Sequence, residues 1–210
     1  MEDEALRPRL WLLDAKDLCF ENGITDRRLA EISQNHARYI DRTGEDPSST
    51  TLEATGDGLS YHVIDGNRLA AFAPDVVEFY KTTLRQAIGR TMAMNIRAQA
   101  ELRGALSLNR LDNASRYEQH VDESTFTAIL YLSSFEIDSG GELVFDRTDS
   151  APAVRITPMP YCLLVCAATD WPHKVTRLPV GKERLCLVMN YWAEGASQAR
   201  PEGLDEYLYG

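Results

Sequence analysis

Seven short apolar runs occupy the sequence between residues 106 and 192, and turn signals separate them. The runs are rich in Val, Ile, Thr, Tyr and Leu, which favour extended chain. Turn residues such as Asp138-Ser139-Gly140-Gly141 and Pro158-Met159-Pro160 lie between them. Seven short strands in succession predict a sandwich or barrel. The predicted strands are about Leu106 to Leu111, Thr125 to Ser133, Glu142 to Phe145, Val154 to Ile156, Tyr161 to Cys166, His173 to Val175 and Arg184 to Tyr191.

The first half of the chain is helical in pattern. Thr25 is suited to cap a helix that runs to about Arg42, and a second pattern with a wide apolar face runs from about Pro74 to Leu102. We therefore predict an α+β fold in which these helices pack on one face of a sheet. The 210 residues contain no repeat or linker that would divide them, which predicts one domain. Its predicted parts are a mainly helical segment (1–105), a strand-rich core (106–192) and a tail (193–210).

The charge balance excludes one class of partner. Lys and Arg number 22 against 32 Asp and Glu, giving a formal net charge of −10, and no basic stretch offsets it. This balance disfavours electrostatic capture of nucleic acid. The start, Met1-Glu2-Asp3-Glu4, lacks the positive charge of a secretory signal, and the longest apolar run is far too short to cross a bilayer. We expect a cytoplasmic protein with no membrane partner, and the sequence does not indicate its oligomeric state.

Two histidines of the strand-rich half are candidate metal ligands. His120 and Asp122 stand two positions apart, so in extended chain both side chains point to the same side. His173 would complete a set of two imidazoles and one carboxylate. Such a set leaves three adjacent coordination positions open, the geometry typical of ferrous enzymes that activate O2.

An arginine accompanies this set. Arg184 lies eleven residues after His173 and begins an apolar strand. A guanidinium at the start of a core strand, facing a metal site, is suited to a bidentate grip on a dicarboxylate. The alternative is a surface ion pair with Glu183 or Glu142.

In these features the sequence resembles the Fe(II)/2-oxoglutarate-dependent dioxygenases, within them the prolyl 4-hydroxylase-like branch. The resemblance spans about Leu106 to Trp192 and depends on the order and spacing of several motifs. They are Leu108-Asn109-Arg110-Leu111, Tyr117-Glu118-Gln119-His120-Val121-Asp122, Thr127-Ala128-Ile129-Leu130-Tyr131-Leu132-Ser133, Gly140-Gly141-Glu142-Leu143-Val144-Phe145, His173-Lys174-Val175 and Gly181-Lys182-Glu183-Arg184.

The resemblance implies a double-stranded β-helix (jelly-roll) with Fe(II) held by His120, Asp122 and His173. It implies that 2-oxoglutarate chelates the iron and that its distal carboxylate is held by Arg184 and the hydroxyl of Tyr131. O2 is the remaining cosubstrate.

Further positions are carried over from the same family. Tyr117 matches an aromatic residue near the cosubstrate, and Asn109 matches a polar one. Leu111 departs from the pattern, because a tyrosine that contacts the cosubstrate is common there. The pocket is therefore expected to be drier, or differently hydrogen-bonded, on that side.

Strand alternation separates the cavity-facing positions. Thr127, Ile129 and Tyr131 share one face of their strand, and Arg184, Cys186, Val188 and Asn190 share one face of theirs. Thr127 and Asn190 are the candidate substrate contacts. Loops commonly cover such cavities, and residues 45–60 and the tail after Trp192 are the candidate lids.

The predicted function is a 2-oxoglutarate-dependent hydroxylase. It would oxidise an unactivated C–H bond of a small molecule, such as an amino acid or specialised metabolite, and release succinate and CO2. Two alternatives stay open: a hydroxylase of prolyl or other protein residues, and a non-enzymatic jelly-roll that only binds a partner.

Overall fold

Two antiparallel sheets and a layer of helices make up the part of the chain that the structure describes. The structure is a computed structural model. It describes residues 9–36, 39–43, 60–112, 114–122, 124–146, 153–167 and 171–196.

The larger sheet has eight strands. They are β1 (Leu10–Asp14), β2 (Ile40–Thr43), β3 (Ser60–Asp65), β4 (Ile96–Ala98), β5 (Leu106–Asp112), β7 (Phe126–Tyr131), β10 (Cys162–Cys166) and β12 (Arg184–Ala193). Their order in the sheet is β1-β10-β7-β12-β5-β3-β2, with β4 paired to β12. The central strand is β12, which pairs with both β5 and β7.

The smaller sheet has four strands in the order β6-β11-β8-β9. They are β6 (Tyr117–His120), β8 (Leu143–Phe145), β9 (Val154–Ile156) and β11 (His173–Val175). The register of β11 against β6 sets His173 opposite His120. Two histidines 53 positions apart in the chain thereby become cross-strand neighbours.

Five α-helices accompany the sheets within the described residues. They are α1 (Lys16–Glu21), α2 (Asp26–Ser33), α3 (Gly66–Phe72), α4 (Pro74–Glu78) and α5 (Arg85–Met92), with a π-helical segment (Phe79–Leu84) joining α4 to α5. None of the helices in this part of the chain is long and apolar enough to span a membrane. As predicted, the Thr25 side chain caps α2 by accepting from the amide of Arg28.

Two helix predictions were too long. The helix from Thr25 ends at Ser33, and the chain up to Arg42 instead enters β2, which pairs with β3. The helix from Pro74 ends at Met92, because Ala93 adopts a left-handed conformation with φ of 51°, and β4 follows before Leu102. Both strands form because they pair with segments elsewhere in the sequence, and helical periodicity does not indicate such pairing.

The seven strands predicted after residue 105 all form, and one further strand, β6, lies among them. The core has two layers. One cluster of buried side chains fills the space between the helices and the large sheet, and another lies between the two sheets. Successive side chains of β7 and β12 point alternately into these two clusters. Ile129, Tyr131 and Cys186 belong to the cluster between the sheets, whereas Leu130 and Leu187 belong to the cluster that faces the helices. The predicted alternation along these two strands is confirmed.

Candidate metal centre

A cavity of about 110 Å³ opens between the two sheets. It is several times larger than the roughly 10–15 Å³ that a single water requires, so it has room for a small ligand. Its polar lining consists of Asn109, Tyr117, His120, Asp122, Thr127, His173 and Arg184, and its remaining lining of Leu111, Ile129, Leu143, Val175, Cys186 and Val188.

Three of these side chains converge at one place in the cavity. His120 ends β6, Asp122 follows in the next loop, and His173 begins β11. The carboxylate oxygens of Asp122 lie 3.5 Å from Nε2 of His120 and 3.7 Å from Nε2 of His173. One ligand atom from each residue fits within 4.8 Å of the others. The predicted trio is therefore assembled, and it can hold a metal ion.

The protonation of the trio suits a cation. Nδ1 of His173 lies 3.0 Å from the carbonyl oxygen of Trp171, which can only accept, so Nδ1 carries the proton and Nε2 keeps a lone pair. Burial lowers the pKa of His173. Burial alone would raise the pKa of Asp122, but the hydrogen bond from His120 and the neighbouring imidazoles hold it at about 2. A carboxylate and a neutral imidazole are the forms that bind metals, so a bound cation would replace the proton that His120 donates to Asp122.

Packing fixes the two imidazole rings. The ring centroids of His120 and His173 are 4.2 Å apart, and Tyr117 meets His120 edge-on with centroids 4.7 Å apart. Phe145 lies 5.3 Å from the ring of His173 on another side. The predicted residue Tyr117 thus lies against a candidate metal ligand.

Arg184 brings a full positive charge into the same cavity. It is the first residue of β12 and is 3% exposed. Its Nε donates to the carbonyl oxygen of Gly141 at 3.1 Å, and its Nη1 lies 3.3 Å from Sγ of Cys186. Among the described residues no carboxylate pairs with it, so the surface ion pair with Glu183 or Glu142 does not form. A buried charge without a counter-charge costs several kcal/mol, so the site favours an anionic ligand.

Two neutral polar groups near this site have no hydrogen-bond partner within 3.5 Å in the described part of the chain, although the Tyr131 side chain helps to raise the pKa of Arg184. They are the hydroxyl of Tyr131 and Oδ1 of Asn109. Cζ of Arg184 lies 5.3 Å from the centroid of the Tyr131 ring. Burial raises the pKa of Tyr131, so its hydroxyl keeps its proton and can donate. Leu111, opposite Arg184 in the β5–β12 register, presents only an apolar side chain.

The two candidate substrate residues lie together on neighbouring strands. Thr127 of β7 is directly opposite Asn190 of β12, and both hydrogen-bond with Ser124. Thr127 lines the cavity and donates to Asp122, whereas Asn190 lies behind it. Ser124 and Cys186 were not predicted as site residues. Strand alternation marks Cys186 as cavity-facing, but no pattern in the sequence marks Ser124, because it lies in a loop.

The candidate lids are largely outside the described residues. Of residues 45–60, only Ser60 is described, as the first residue of β3. Of the tail, residues 193–196 are described. Their role over the cavity stays a prediction.

No family model matches this chain, and no curated protein matches it. Solved structures do match. A 2OG-Fe(II) oxygenase family oxidoreductase from Burkholderia pseudomallei has a TM-score of 0.61 at 18% identity, covering 87% of this chain and 84% of that one. A prolyl-4-hydroxylase from Pseudomonas putida has a TM-score of 0.54 at 19% identity, covering 91% and 95%. The epimerase SnoN, in complex with Fe3+, alpha ketoglutarate and nogalamycin RO, has a TM-score of 0.63 at 12% identity, covering 96% and 85%.

These likenesses establish a shared fold. The chain folds as 2OG-Fe(II) oxygenases do, prolyl hydroxylases among them, and the resemblance noted from sequence motifs is confirmed at that level. The similar structures include a hydroxylase and an epimerase, so the fold alone does not specify the reaction.

Proposed function

We propose that this protein is an Fe(II)/2-oxoglutarate-dependent oxygenase built on a jelly-roll core. One observation carries the proposal: a His-Asp-His trio and a buried arginine without a carboxylate partner in the described chain line the same cavity. Each feature alone is compatible with other roles. Together they match a small dianion that chelates a metal at one end and carries a second carboxylate at the other.

The chain's own residues supply binding and orientation. His120, Asp122 and His173 would hold Fe(II) at one end of the cavity. Arg184 binds the distal carboxylate of 2-oxoglutarate and neutralises its charge, and the protonated hydroxyl of Tyr131 donates to the same group. Oδ1 of Asn109 is an unused acceptor in the same cavity, which supports a contact through a bridging water, because the 2-oxoglutarate dianion has no hydrogen-bond donor of its own. The roles carried over from the family thus fit the residues present.

Iron held in this way supplies the activation of O2 that couples decarboxylation of 2-oxoglutarate, giving succinate and CO2, to oxidation of a substrate. The apolar lining around it, including Ile129, Leu143 and Val188, keeps water from the site. We propose hydroxylation of an unactivated C–H bond as the reaction. The carboxylate ligand Asp122 is retained, and a solved hydroxylase shares the fold.

The proposed substrate is a small molecule, an amino acid or a specialised metabolite. A solved structure of similar fold holds a small-molecule ligand, nogalamycin RO, which supports this class. A prolyl residue on a protein is the second candidate, and the Pseudomonas putida prolyl-4-hydroxylase supports it. The formal charge of −10 opposes nucleic acid. The cytoplasmic location and the single-domain division of the chain stay predictions.

Formation of succinate from 2-oxoglutarate tests the proposal. The Fe(II)-loaded protein is expected to release succinate in the presence of O2, slowly without substrate and faster when a substrate is supplied. His173→Ala is expected to abolish release because it removes a metal ligand. Ser133→Ala is the matched control, since Ser133 bonds only to the backbone of Leu185 among the described residues. Iron-loaded protein that forms no succinate with any candidate substrate supports the binding-only jelly-roll instead.

A further inference from the structure

Besides the two histidines, one further side chain contacts the carboxylate of Asp122. Oγ1 of Thr127 donates a hydrogen bond to Oδ2 of Asp122. Thr127 is 1% exposed and lies on the rigid strand β7, whereas Asp122 lies in a loop. The strand therefore restrains the carboxylate of the loop residue.

Thr127 belongs to a small network of buried polar side chains. Its Oγ1 lies 2.9 Å from Oγ of Ser124 and 3.2 Å from Oδ1 of Asn190. Oγ of Ser124 also lies 3.2 Å from Oδ1 of Asn190. Thr127 and Asn190 are directly opposite on β7 and β12, so the sheet register itself brings them together.

The contact of the Asn190 side chain with Gly104 fixes which way its amide group points. Nδ2 of Asn190 lies 3.1 Å from the carbonyl oxygen of Gly104, which can only accept, so the amide nitrogen faces Gly104 and Oδ1 faces the hydroxyls. The backbone of Asn190 is held as well, by its amide donating to the carbonyl of Ala105 at 2.8 Å and by the Tyr80 hydroxyl donating to its carbonyl at 2.8 Å.

The hydroxyl protons can then be assigned. A metal-binding carboxylate only accepts, so the single hydroxyl proton of Thr127 points to Asp122. The remaining hydroxyl proton is that of Ser124, which lies within reach of Oγ1 of Thr127 at 2.9 Å and of Oδ1 of Asn190 at 3.2 Å. Ser124 is therefore the donor that links Thr127 and Asn190. Removing Asn190 would free Ser124 and Thr127 to rotate and would weaken the bond to Asp122.

We propose that Thr127, Ser124 and Asn190 are positioning residues that orient the Asp122 carboxylate for metal binding, rather than contacts to substrate. This inference rests on the proposed function, because it requires Asp122 to be a metal ligand. Removing a group that orients a metal ligand typically lowers metal affinity by 10–100-fold. A residue that touched only substrate would leave metal affinity unchanged.

Binding of Co(II) alone to the full chain tests the inference, with visible absorption giving the affinity and the coordination. Thr127→Val removes the hydroxyl at nearly constant volume and is expected to raise Kd about 10-fold or more. Thr127→Ser keeps the hydroxyl and is expected to restore most of the affinity. Asn190→Leu is expected to raise Kd by about 10-fold. Ser133→Ala, which removes a hydroxyl beyond the opposite end of β7, is expected to bind as the parent does.

The double variant tests the path of the effect. If Asn190 acts through Thr127, Thr127→Val combined with Asn190→Leu binds Co(II) no more weakly than Thr127→Val alone. Losses that add would contradict that path. Thermal unfolding of each metal-free variant identifies any that do not fold. If Asn190→Leu does not fold, Ser124→Ala, which removes one loop hydroxyl, takes its place and is expected to lower Co(II) affinity several-fold.

The possible failures can be told apart. If the parent binds Co(II) and the folded Thr127→Val or Asn190→Leu variants bind it equally well, the positioning role is wrong and the proposed function stands. If the parent does not bind Co(II), the proposed function fails, and this inference fails with it.

Discussion

The buried positive charge of Arg184 has, among the described residues, hydrogen bonds to one carbonyl oxygen and one sulfur atom and no carboxylate partner. Such a group destabilises the protein until an anion arrives. Its hydrogen-bonding capacity is largely unused, and the hydroxyl of Tyr131 beside it is likewise unpaired among the described residues. At the scale of single residues, we expect these two side chains to favour 2-oxoglutarate binding without stabilising the ligand-free protein.

Replacing Arg184 should therefore separate binding from stability. Arg184→Met removes two charge-assisted hydrogen bonds to the distal carboxylate, each contributing about 1.5–3 kcal/mol, and is expected to weaken 2-oxoglutarate binding at least about 100-fold. It also removes a buried unpaired charge, so the ligand-free variant should melt no lower than the parent. Calorimetric binding and thermal unfolding measure the two effects. A variant that melts several degrees lower and binds 2-oxoglutarate normally would contradict the assignment.

Tyr131→Phe is the milder counterpart. It deletes one neutral hydroxyl, so 2-oxoglutarate binding should weaken by about 3–10-fold, the equivalent of one hydrogen bond. The stability of the ligand-free protein should change little, because that hydroxyl has no hydrogen-bond partner within 3.5 Å in the described chain. Calorimetry on the Fe(II)-loaded protein under anaerobic conditions checks the prediction, and unchanged affinity would remove Tyr131 from the site.

At the scale of elements, the helices are fastened to one another by side chains. Arg28 of α2 makes a bidentate pair with Asp75 of α4, with both N–O distances 2.7 Å, and Nη2 of Arg28 also donates to the carbonyl of Phe72 at 3.0 Å. The hydrogen bond from Arg28 lowers the pKa of Asp75. This pair joins two helices that are adjacent in space, through residues 47 positions apart in the chain.

The lowered pKa gives a pH dependence of known sign. A carboxyl whose pKa is lower in the folded state stabilises the protein above its unfolded pKa of about 3.9, and that contribution is lost as pH falls through the folded value. Asp75→Asn should therefore lower stability by up to about 1 kcal/mol at pH 7, a size limited by partial exposure. The difference between variant and parent in urea unfolding should shrink below about pH 4. A difference that stays constant with pH would contradict this account.

Elements whose signals are local could be predicted from the sequence. The seven strands after residue 105 follow from the residue types of each run and from the turn residues between runs, and the faces of β7 and β12 follow from alternation. The cap of α2 follows from Thr25 and its neighbours. By contrast, β2 and β4 were predicted as helix, because each is a strand only by virtue of pairing with β3 and β12. Helical periodicity over residues 34–42 and 93–102 could not reveal those partners.

At the scale of the whole molecule, the site depends on how the two sheets face each other. The small sheet brings His120 and His173 side by side, and the large sheet carries Arg184 and Thr127 on the opposite wall, with the Tyr131 ring packed near Arg184. Motif order and spacing were sufficient to nominate these residues. The link from Asp122 through Thr127 to Asn190 could not be predicted, because it depends on the cross-strand register and on the position of a loop serine.

The most direct test of the central claim is an anaerobic titration of metal-free protein with Fe(II) and then 2-oxoglutarate, followed by visible absorption. We predict that a weak charge-transfer band of the iron chelate appears with the parent, saturates at one 2-oxoglutarate per chain, and is lost in His120→Ala and Asp122→Ala. Folded protein that gives no band would contradict the claim that this cavity holds iron and 2-oxoglutarate.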